Sequence, residues 1–219
     1  MQIGVLDIQG SVKEHAEALA RAGAQVVLVK KFEDLRRVNG LIIPGGESTT
    51  IGKLLERFGL GEEIIKRATG QESKSILGAA DLEEENIVPS AKPMPVWGTC
   101  AGAILIAKKI IGKQSADKLN LMDITVERNA YGRQLESQET EIEFLTGDGD
   151  KKVSTKIPAI FIRAPRIAEI GPNVEVLATY EGDIVAARQE NFLATTFHPE
   201  MTTNTTVHRY FMDMCKESL

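Results

Sequence analysis

The chain is poor in several residue types whose absence excludes common classes of protein. Its 219 residues include only two cysteines, three histidines and one tryptophan. Two cysteines do not make a disulfide framework, so the sequence predicts a reducing, cytoplasmic location. No apolar run approaches the roughly 18–20 residues of a membrane span. A basic region followed by an apolar stretch and a cleavage site is also missing, so we expect no signal peptide.

Excess positive charge is absent as well. The formal net charge is −5, which gives no support for nucleic acid or an anionic membrane as the main partner. With 42% hydrophobic and 26% charged residues, the composition is that of a globular protein. We find no repeats and predict a single domain over 1–219. Residues 69–92 are polar or acidic and end in prolines, which favours a surface insertion over a functional lid.

Apolar strands alternate with helices through the first half of the chain, and this predicts a parallel, doubly wound sheet. Strands are predicted over 3–8, 25–30, 40–43 and 94–97, and helices over 11–22, 49–58 and 101–110. The second half favours strands with short links, which indicates antiparallel or mixed pairing at one side of the sheet. These strands are predicted over 121–127, 139–144, 157–162, 174–179, 183–188 and 192–197, before a last helix over 203–217.

Cys100 is the strongest candidate for a catalytic residue. It lies in the stretch 96–102, VWGTCAG, on the predicted turn between a strand and a helix. A nucleophile on such a sharp turn needs small neighbours, and the helix N-terminus behind it favours a thiolate. A buried structural cysteine is the alternative reading of this stretch. Cys215 lies beside charged residues in the C-terminal helix, and we expect it to have no role.

A cysteine nucleophile needs a base that a third group holds in place. We expect His15, on the first helix, to be a packing or surface residue, and His208, on the last helix, to be exposed to solvent. His198 differs because it follows the strand 192–197, and strand ends are where functional groups collect in open α/β sheets. Glu200, two residues on, can hold the imidazole in the required tautomer.

Two glycines follow the third strand and suggest a site for the oxyanion of acyl chemistry. Gly45 and Gly46 lie in the run 44–49, PGGEST. One N–H of this loop, with that of Ala101, would make a two-donor oxyanion hole. A simple turn that caps the next helix through a hydroxyl side chain explains the run equally well. No lysine follows at phosphate-loop spacing, so a nucleotide site is not predicted.

Two arginines at strand ends are candidates for binding a substrate carboxylate. Arg128 lies in the run 126–134, VERNAYGRQ, and Arg163 in the run 161–165, FIRAP. Arginine forms charge-assisted pairs with carboxylates. On the residues alone, surface ion pairs are the favoured reading and substrate binding is the other.

Together these segments resemble the class I, or triad, glutamine amidotransferases. The resemblance is closer still to one family, the glutaminase subunits of pyridoxal 5′-phosphate synthase, and it covers essentially the whole chain. The broad superfamily is indicated by GTCAG at 98–102 and HPE at 198–200. The narrower family is indicated by QG at 9–10, RNAYGRQ at 128–134 and IRAP at 162–165.

The resemblance implies a flavodoxin-like fold, a three-layer sandwich with a central, mostly parallel sheet. It implies Cys100 as the nucleophile, His198 as the base and Glu200 as the orienting acid. It also implies six residues around the substrate L-glutamine: Gly46, Glu47, Ser48, Arg128, Ile162 and Arg163. Neither a cofactor nor a metal is expected.

The resemblance further implies a protein partner, a synthase subunit that receives ammonia and builds pyridoxal 5′-phosphate from sugar phosphates. Gln9 is expected on the surface that faces this subunit. Residues 69–92 look longer than the family's usual link, which leaves the local contact surface open but does not affect the triad.

Three other functions compete with this hypothesis. A glutaminase of another pathway, such as histidine synthesis, is disfavoured by the runs at 128–134 and 162–165. A non-enzymatic cysteine sensor or chaperone on the same fold leaves His198 and Glu200 unexplained. A cysteine peptidase is disfavoured by the compact, charged pocket that glutamine implies.

Overall fold

The structure is a computed structural model that describes residues 1–71, 92–112, 118–128, 137–147 and 152–219. The first half contains β1 (Gln2–Leu6), α1 (Val12–Ala22), β2 (Gln25–Val29), α2 (Phe32–Leu35), β3 (Gly40–Ile43), α3 (Ser48–Arg57), α4 (Leu60–Thr69), β4 (Val96–Thr99), α5 (Ala101–Ile106) and β5 (Ala107–Ile111). The second half contains β6 (Met122–Glu127), β7 (Gln138–Thr146), β8 (Val153–Phe161), β9 (Arg166–Ile170), β10 (Glu175–Tyr180), β11 (Asp183–Gln189), β12 (Phe192–Thr195), a 3-10 turn (Pro199–Met201) and α6 (Thr206–Glu217).

Five neighbouring strands form a parallel unit in the order β2-β1-β3-β4-β12. With β12 as its fifth strand, this is the strand order of the flavodoxin-like fold that the family resemblance implies. Strands β3, β4 and β12 are buried along their whole length, as expected for parallel strands that helices cover on both faces. The carboxyl ends of all five strands therefore lie at one edge of the sheet.

The sheet continues beyond β12 with mostly antiparallel pairing, as predicted for the second half. Strand β11 pairs antiparallel with β12, β10 and β9, and β9 pairs antiparallel with β6. Strand β5 then adds to β6 in parallel. Strands β7 and β8 form a separate antiparallel hairpin.

Two hydrophobic cores lie on opposite faces of the parallel strands. One core contains buried residues of α2, α3, α4 and α5, such as Ile51 and Ile64. The other contains residues of α1, α6 and the β7–β8 hairpin, such as Leu19, Phe211 and Phe144. These two layers and the sheet between them make the predicted three-layer sandwich.

The predicted helix over 101–110 is wrong in its second half. The helix ends at Ile106, and Ala107 already has the extended dihedral angles φ −66° and ψ 143°. The following residues form β5, whose Ile110 and Ile111 are β-branched residues that favour a strand. Strand β9 was not predicted either, and the last helix begins at Thr206 rather than 203.

The predicted insertion over 69–92 lies largely outside the described residues. Helix α4 ends at Thr69, where Gly70 takes up a left-handed conformation with φ 71°. The described chain resumes at Lys92. The insertion and the single-domain assignment over 1–219 stay predictions.

Candidate active site

Four loops at the carboxyl edge of the parallel strands bring the predicted site together. They follow β1, β3, β4 and β12, and they carry Gln9, Gly45, Cys100 and His198 respectively. Strands β1 and β3 are neighbours whose following helices, α1 and α3, pack on opposite faces. Such a switch point is where open α/β sheets leave a crevice for ligands.

Cys100 forms a strained turn between β4 and α5. Its backbone dihedral angles are φ 48° and ψ −102°, a conformation that residues with a Cβ rarely adopt. The turn is held by the Cys100 N–H, which donates to the Thr195 carbonyl at 2.8 Å. A Cβ on Gly98 would overlap the backbone of Gly102, and one on Gly102 would overlap the Ile43 carbonyl. The predicted need for small neighbours therefore has a direct steric cause.

His198 lies beside Cys100 at the end of β12 and is held from two sides. Its backbone N–H donates to the Ile160 carbonyl at 2.8 Å, and its Nδ1 lies 2.7 Å from Glu200 Oε1. Burial lowers the pKa of His198, but hydrogen bonds to Cys100 and Glu200 and the charges of both outweigh it and raise the pKa to about 10. The imidazole is thus held in its cationic form next to the sulfur.

Glu200 is buried, with 3% of its surface exposed. Burial alone would raise its pKa, but the neighbouring imidazoles and the hydrogen bonds from His198 and Ser11 lower it to about 2. The Ser11 hydroxyl donates to Glu200 Oε1 at 2.7 Å. Ser11 precedes α1 and makes no side-chain cap of that helix, because its hydroxyl is used by Glu200 instead. A charged carboxylate therefore stays behind His198.

The glycine loop after β3 packs directly against this group. A Cβ on Gly45 would lie 3.3 Å from Cys100 Cβ and would overlap the His198 ring, so only glycine fits there. The Gly45 carbonyl accepts from the Ser11 N–H at 3.0 Å. The Glu47 N–H donates to Gln9 Oε1 at 2.9 Å. Gln9 thus holds the loop through a side-chain hydrogen bond.

Glu47 caps α3, which corrects the reading in which a hydroxyl side chain caps this helix. Its carboxylate accepts from the Thr49 N–H at 3.1 Å and from the Thr50 N–H at 2.7 Å. Although Glu47 is largely exposed, the hydrogen bond from the Thr50 hydroxyl and these backbone bonds lower its pKa to about 2. Ser48 is buried, whereas Gly46 and Glu47 are exposed toward the crevice edge.

The two strand-end arginines lie in different surroundings. Arg128 Nη2 is 3.9 Å from Glu47 Oε1, so the structure brings Arg128 to the glycine loop. Arg163 is exposed and has a left-handed φ of 46°. The carbonyl oxygen of Ile162 lies 4.0 Å from Cys100 Sγ, and it brings the 162–163 segment to the nucleophile.

The prediction that His208 is exposed is wrong. His208 is fully buried, as is His15, and the two imidazoles contact each other at 3.2 Å between His208 Nε2 and His15 Nδ1. His15 Nε2 lies 3.5 Å from Glu200 Oε2. Cys215 is also buried, on the same helix. The prediction was wrong because it rested on the charged residues that neighbour His208 in the sequence. The apolar residues Val207 and Phe211 indicate the buried face of α6, on which His208 also lies.

No group of three or more His, Cys, Asp or Glu side chains in the described ranges is arranged to hold a metal ion. Likewise, none of the helices in the described part of the chain is long and apolar enough to cross a membrane.

The flavodoxin-like sheet, with this cysteine turn and His-x-Glu loop on neighbouring strands, is the arrangement of a triad glutamine amidotransferase. The chain matches the family described as the SNO glutamine amidotransferase family over residues 5–82 and 80–217. It therefore belongs to that family, as the sequence predicts.

Individual relatives agree along the full length. A protein of Thermotoga maritima named pyridoxal 5′-phosphate synthase subunit PdxT is 46% identical over 216 residues, which cover 99% of this chain and 100% of the relative. A protein of the same name from Geobacillus thermodenitrificans is 47% identical over 218 residues, which cover 100% of this chain and 97% of the relative.

Solved structures confirm the predicted fold class. A structure described as a crystal structure of glutamine amidotransferase has 39% sequence identity and a TM-score of 0.79, and the match covers 98% of each chain. The structure of PurLQS from Thermotoga maritima has a TM-score of 0.53 at 18% identity, with 99% of this chain and 96% of that chain covered, and shares the fold.

Proposed function

We propose that this chain is the glutaminase subunit of a pyridoxal 5′-phosphate synthase. It hydrolyses L-glutamine to L-glutamate and ammonia and passes the ammonia to a synthase subunit. The observation that carries the chemistry is the contact of Cys100 with His198, whose other ring nitrogen is 2.7 Å from Glu200. The full-length similarity to proteins named PdxT supports the pathway over histidine synthesis.

Substrate binding uses the exposed end of the crevice around the glycine loop. Glu47 and Arg128 present opposite charges 3.9 Å apart, which suits the ammonium and carboxylate groups of an amino acid. Arg128 pairs with the α-carboxylate in this scheme. The remaining pocket residues, which the family resemblance supplies, are Gly46, Ser48, Ile162 and Arg163.

Catalysis begins with attack of the Cys100 sulfur on the side-chain amide carbon of glutamine. The His198 imidazolium lies beside this sulfur and stabilises the negative charge that a thiolate nucleophile carries. A bond forms between sulfur and carbon, and the carbonyl oxygen becomes an oxyanion. The N–H of Ala101, at the open start of α5, and one N–H of the Gly45–Gly46 loop donate to that oxygen.

The tetrahedral intermediate then collapses and releases ammonia. His198 donates its proton to the leaving nitrogen as the carbon–nitrogen bond breaks, which leaves a thioester on Cys100. Neutral His198 next accepts a proton from water, and the resulting hydroxide attacks the thioester carbon. Glutamate leaves, and the sulfur and imidazolium return to their starting state. Glu200 stabilises the imidazolium at each stage without touching substrate.

Gln9 connects the outer surface to the oxyanion loop. It follows β1, and its side-chain oxygen accepts from the Glu47 N–H in the peptide that follows Gly46. A Cβ on Gly46 would press against Gln9 and Gly10, so the loop and the Gln9 segment pack closely. A synthase subunit that docks on Gln9 can therefore fix the orientation of the loop peptides.

We also assign the protein to the cytoplasm, since both of its cysteines are free thiols.

Replacing Arg128 by alanine should raise the KM for glutamine by roughly tenfold or more, since it removes a charge-assisted partner of the substrate. The turnover number should change less than KM, because the contact exists before and during the reaction. Steady-state kinetics measure both constants. Arg209→Ala, which removes an exposed arginine of α6, is the matched control and should leave KM unchanged. A KM equal to that of the wild type in Arg128→Ala would refute the assigned role.

The proposed function is tested by measuring ammonia from glutamine with and without a candidate synthase subunit. Low activity of the isolated chain and a clear rise with the synthase are expected. The rise should appear mainly in turnover, because an oxyanion contact is stronger in the transition state than in the ground state.

Gln9→Ala should blunt the stimulation and leave the triad intact, because it removes the acceptor of the Glu47 N–H. Gln25→Ala is the control, since Gln25 is exposed at the start of β2, at the opposite edge of the sheet. Full activity of the isolated chain, unchanged by synthase, contradicts the coupling. No ammonia under any condition contradicts the glutaminase itself.

A further inference from the structure

A chain of three buried side chains extends the proposed triad into the protein interior. Glu200 Oε2 is 3.5 Å from His15 Nε2, and His15 Nδ1 is 3.2 Å from His208 Nε2. The side chains of His15 and Glu200 are fully buried, and His208 has no exposed surface. Trp97 packs against both imidazoles with its ring edge-on, at centroid distances of 5.4 Å and 5.0 Å. The described function uses neither His15 nor His208.

The Glu200 carboxylate is bonded asymmetrically. Oxygen Oε1 accepts from both His198 and Ser11 at 2.7 Å. Oxygen Oε2 is buried and has no hydrogen bond within the usual distance among the described residues. His15 Nε2 lies 3.5 Å from this oxygen. A buried carboxylate oxygen without a hydrogen-bond donor destabilises the folded protein. A proton on His15 Nε2, which faces this oxygen, is therefore more favourable than a proton on His15 Nδ1.

The hydrogen-bond pattern selects one tautomer of each histidine. If His15 carries its proton on Nε2, it donates toward Glu200 Oε2 and toward the Thr99 hydroxyl oxygen, which lies 3.1 Å away. His15 Nδ1 then accepts from His208 Nε2, and of the four ring nitrogens only His208 Nδ1 has no hydrogen-bond partner among the described residues. The opposite tautomers would turn a His15 lone pair toward the Glu200 carboxylate, which is repulsive.

The lowered pKa values of both histidines agree with the neutral forms that this pattern requires. Burial lowers the pKa of His15, and burial lowers that of His208 to about 3. The charged and titratable groups that face the pair are Glu200 and His198 near His15, Glu14 on α1, and Arg21 near His208. Both imidazoles therefore serve as neutral hydrogen-bonding groups rather than as charges.

We propose that His15, in the Nε2-protonated tautomer set by His208, is a positioning residue that holds the second oxygen of Glu200 and so orients His198. This role rests on the glutaminase function proposed above. Without the His15 donor, the carboxylate is held only at Oε1 and can rotate about its own bond. His198 then spends less time in the orientation that protonates the leaving nitrogen, and the loss falls on turnover rather than on substrate binding.

A matched pair of variants separates this role from simple packing. The side-chain nitrogen of glutamine is four bonds from Cα, as Nε2 of histidine is, and it carries N–H donors. Methionine has a side chain of the same length but no donor. His15→Met should lower kcat by roughly tenfold or more with KM nearly unchanged, which is the effect of losing one hydrogen bond to a charged group. His15→Gln should recover most of the lost turnover. Kinetics are measured with the synthase subunit present.

Phe211→Leu controls for damage to the same core. Phe211 is fully buried on α6, 5.6 Å from Trp97 between ring centroids, and its hydrocarbon ring carries no hydrogen-bond donor for Glu200. It should lower the melting temperature and leave kcat unchanged. If His15→Met and His15→Gln lose the same turnover, or if Phe211→Leu loses as much, the positioning role is overturned while the glutaminase function stands. An inactive wild type overturns the function first, and the role with it.

Nitrogen-15 NMR of the wild type tests the tautomer of His15 directly. It requires neither an activity assay nor a substituted protein. The expected result is a proton on His15 Nε2 and none on His15 Nδ1, with His208 protonated on Nε2. A proton on His15 Nδ1, or a doubly protonated His15 near neutral pH, overturns the proposal.

Discussion

The Cys100→Ala protein should hydrolyse no measurable glutamine, a loss on the order of a millionfold, because removal of a triad nucleophile leaves only binding and oxyanion contacts. The fold should survive. Alanine keeps the Cβ that the strained turn already accommodates, and losing one buried sulfur costs about 1 kcal/mol. Ammonia release in the presence of synthase and the melting temperature are the two measurements.

Cys215→Ala is the matched control for this variant. Cys215 is buried on α6, away from the loops that carry the site, so its replacement should lower stability and retain glutaminase activity. Substantial activity in a folded Cys100→Ala protein would remove Cys100 from the mechanism.

Glu200→Gln should lower turnover by roughly a hundred- to ten-thousandfold while glutamine still binds, since the third member of a triad orients and stabilises the base. The amide can also turn a donor toward His198 Nδ1, which favours the wrong tautomer. Glu190→Gln, at the exposed turn between β11 and β12, is the control and should be neutral. Equal losses in binding and turnover would mean that Glu200 contacts substrate.

The same variant should change the pH dependence in a definite direction. The hydrogen bond and charge of Glu200 help to raise the pKa of His198 to about 10. Without the carboxylate that pKa falls, so the imidazolium is lost at lower pH. The alkaline limb of the profile of kcat/KM should therefore move to lower pH in Glu200→Gln. A limb that stays in place would show that Glu200 does not set the charge of His198.

The proximity of Cys100, His198 and Glu200 was predictable because each of these residues carries a local signal. Cys100 lies among small residues that the sharp turn requires, and the clash that a Cβ on Gly98 would make explains why. His198 and Glu200 are two residues apart, so one loop delivers both. The parallel sheet was predictable from apolar runs such as 40–43, which are typical of strands buried on both faces.

The shell behind the triad was not predictable in the same way. His15 and His208 are 193 positions apart, and neither has a local pattern that predicts contact with the other. Polar residues on α6 suggested exposure for His208, but tertiary packing against Trp97 decided its burial. Ser11 and Glu200 are 189 positions apart, and the hydrogen bond between them depends on the fold. Such contacts arise only when distant helices pack together.

The central claim, that Cys100 is the nucleophile for glutamine, is tested most directly by an electrophilic analogue of L-glutamine followed by peptide mass spectrometry. Both cysteines are buried and form no disulfide, so burial alone does not decide which of them the analogue labels. Cys100 adjoins the His198 imidazolium at the crevice, whereas burial raises the pKa of Cys215 and keeps it a thiol. The account predicts one label, on Cys100, that excess glutamine suppresses. Preferential labelling of Cys215, or labelling of Cys100 that glutamine does not suppress, would contradict it.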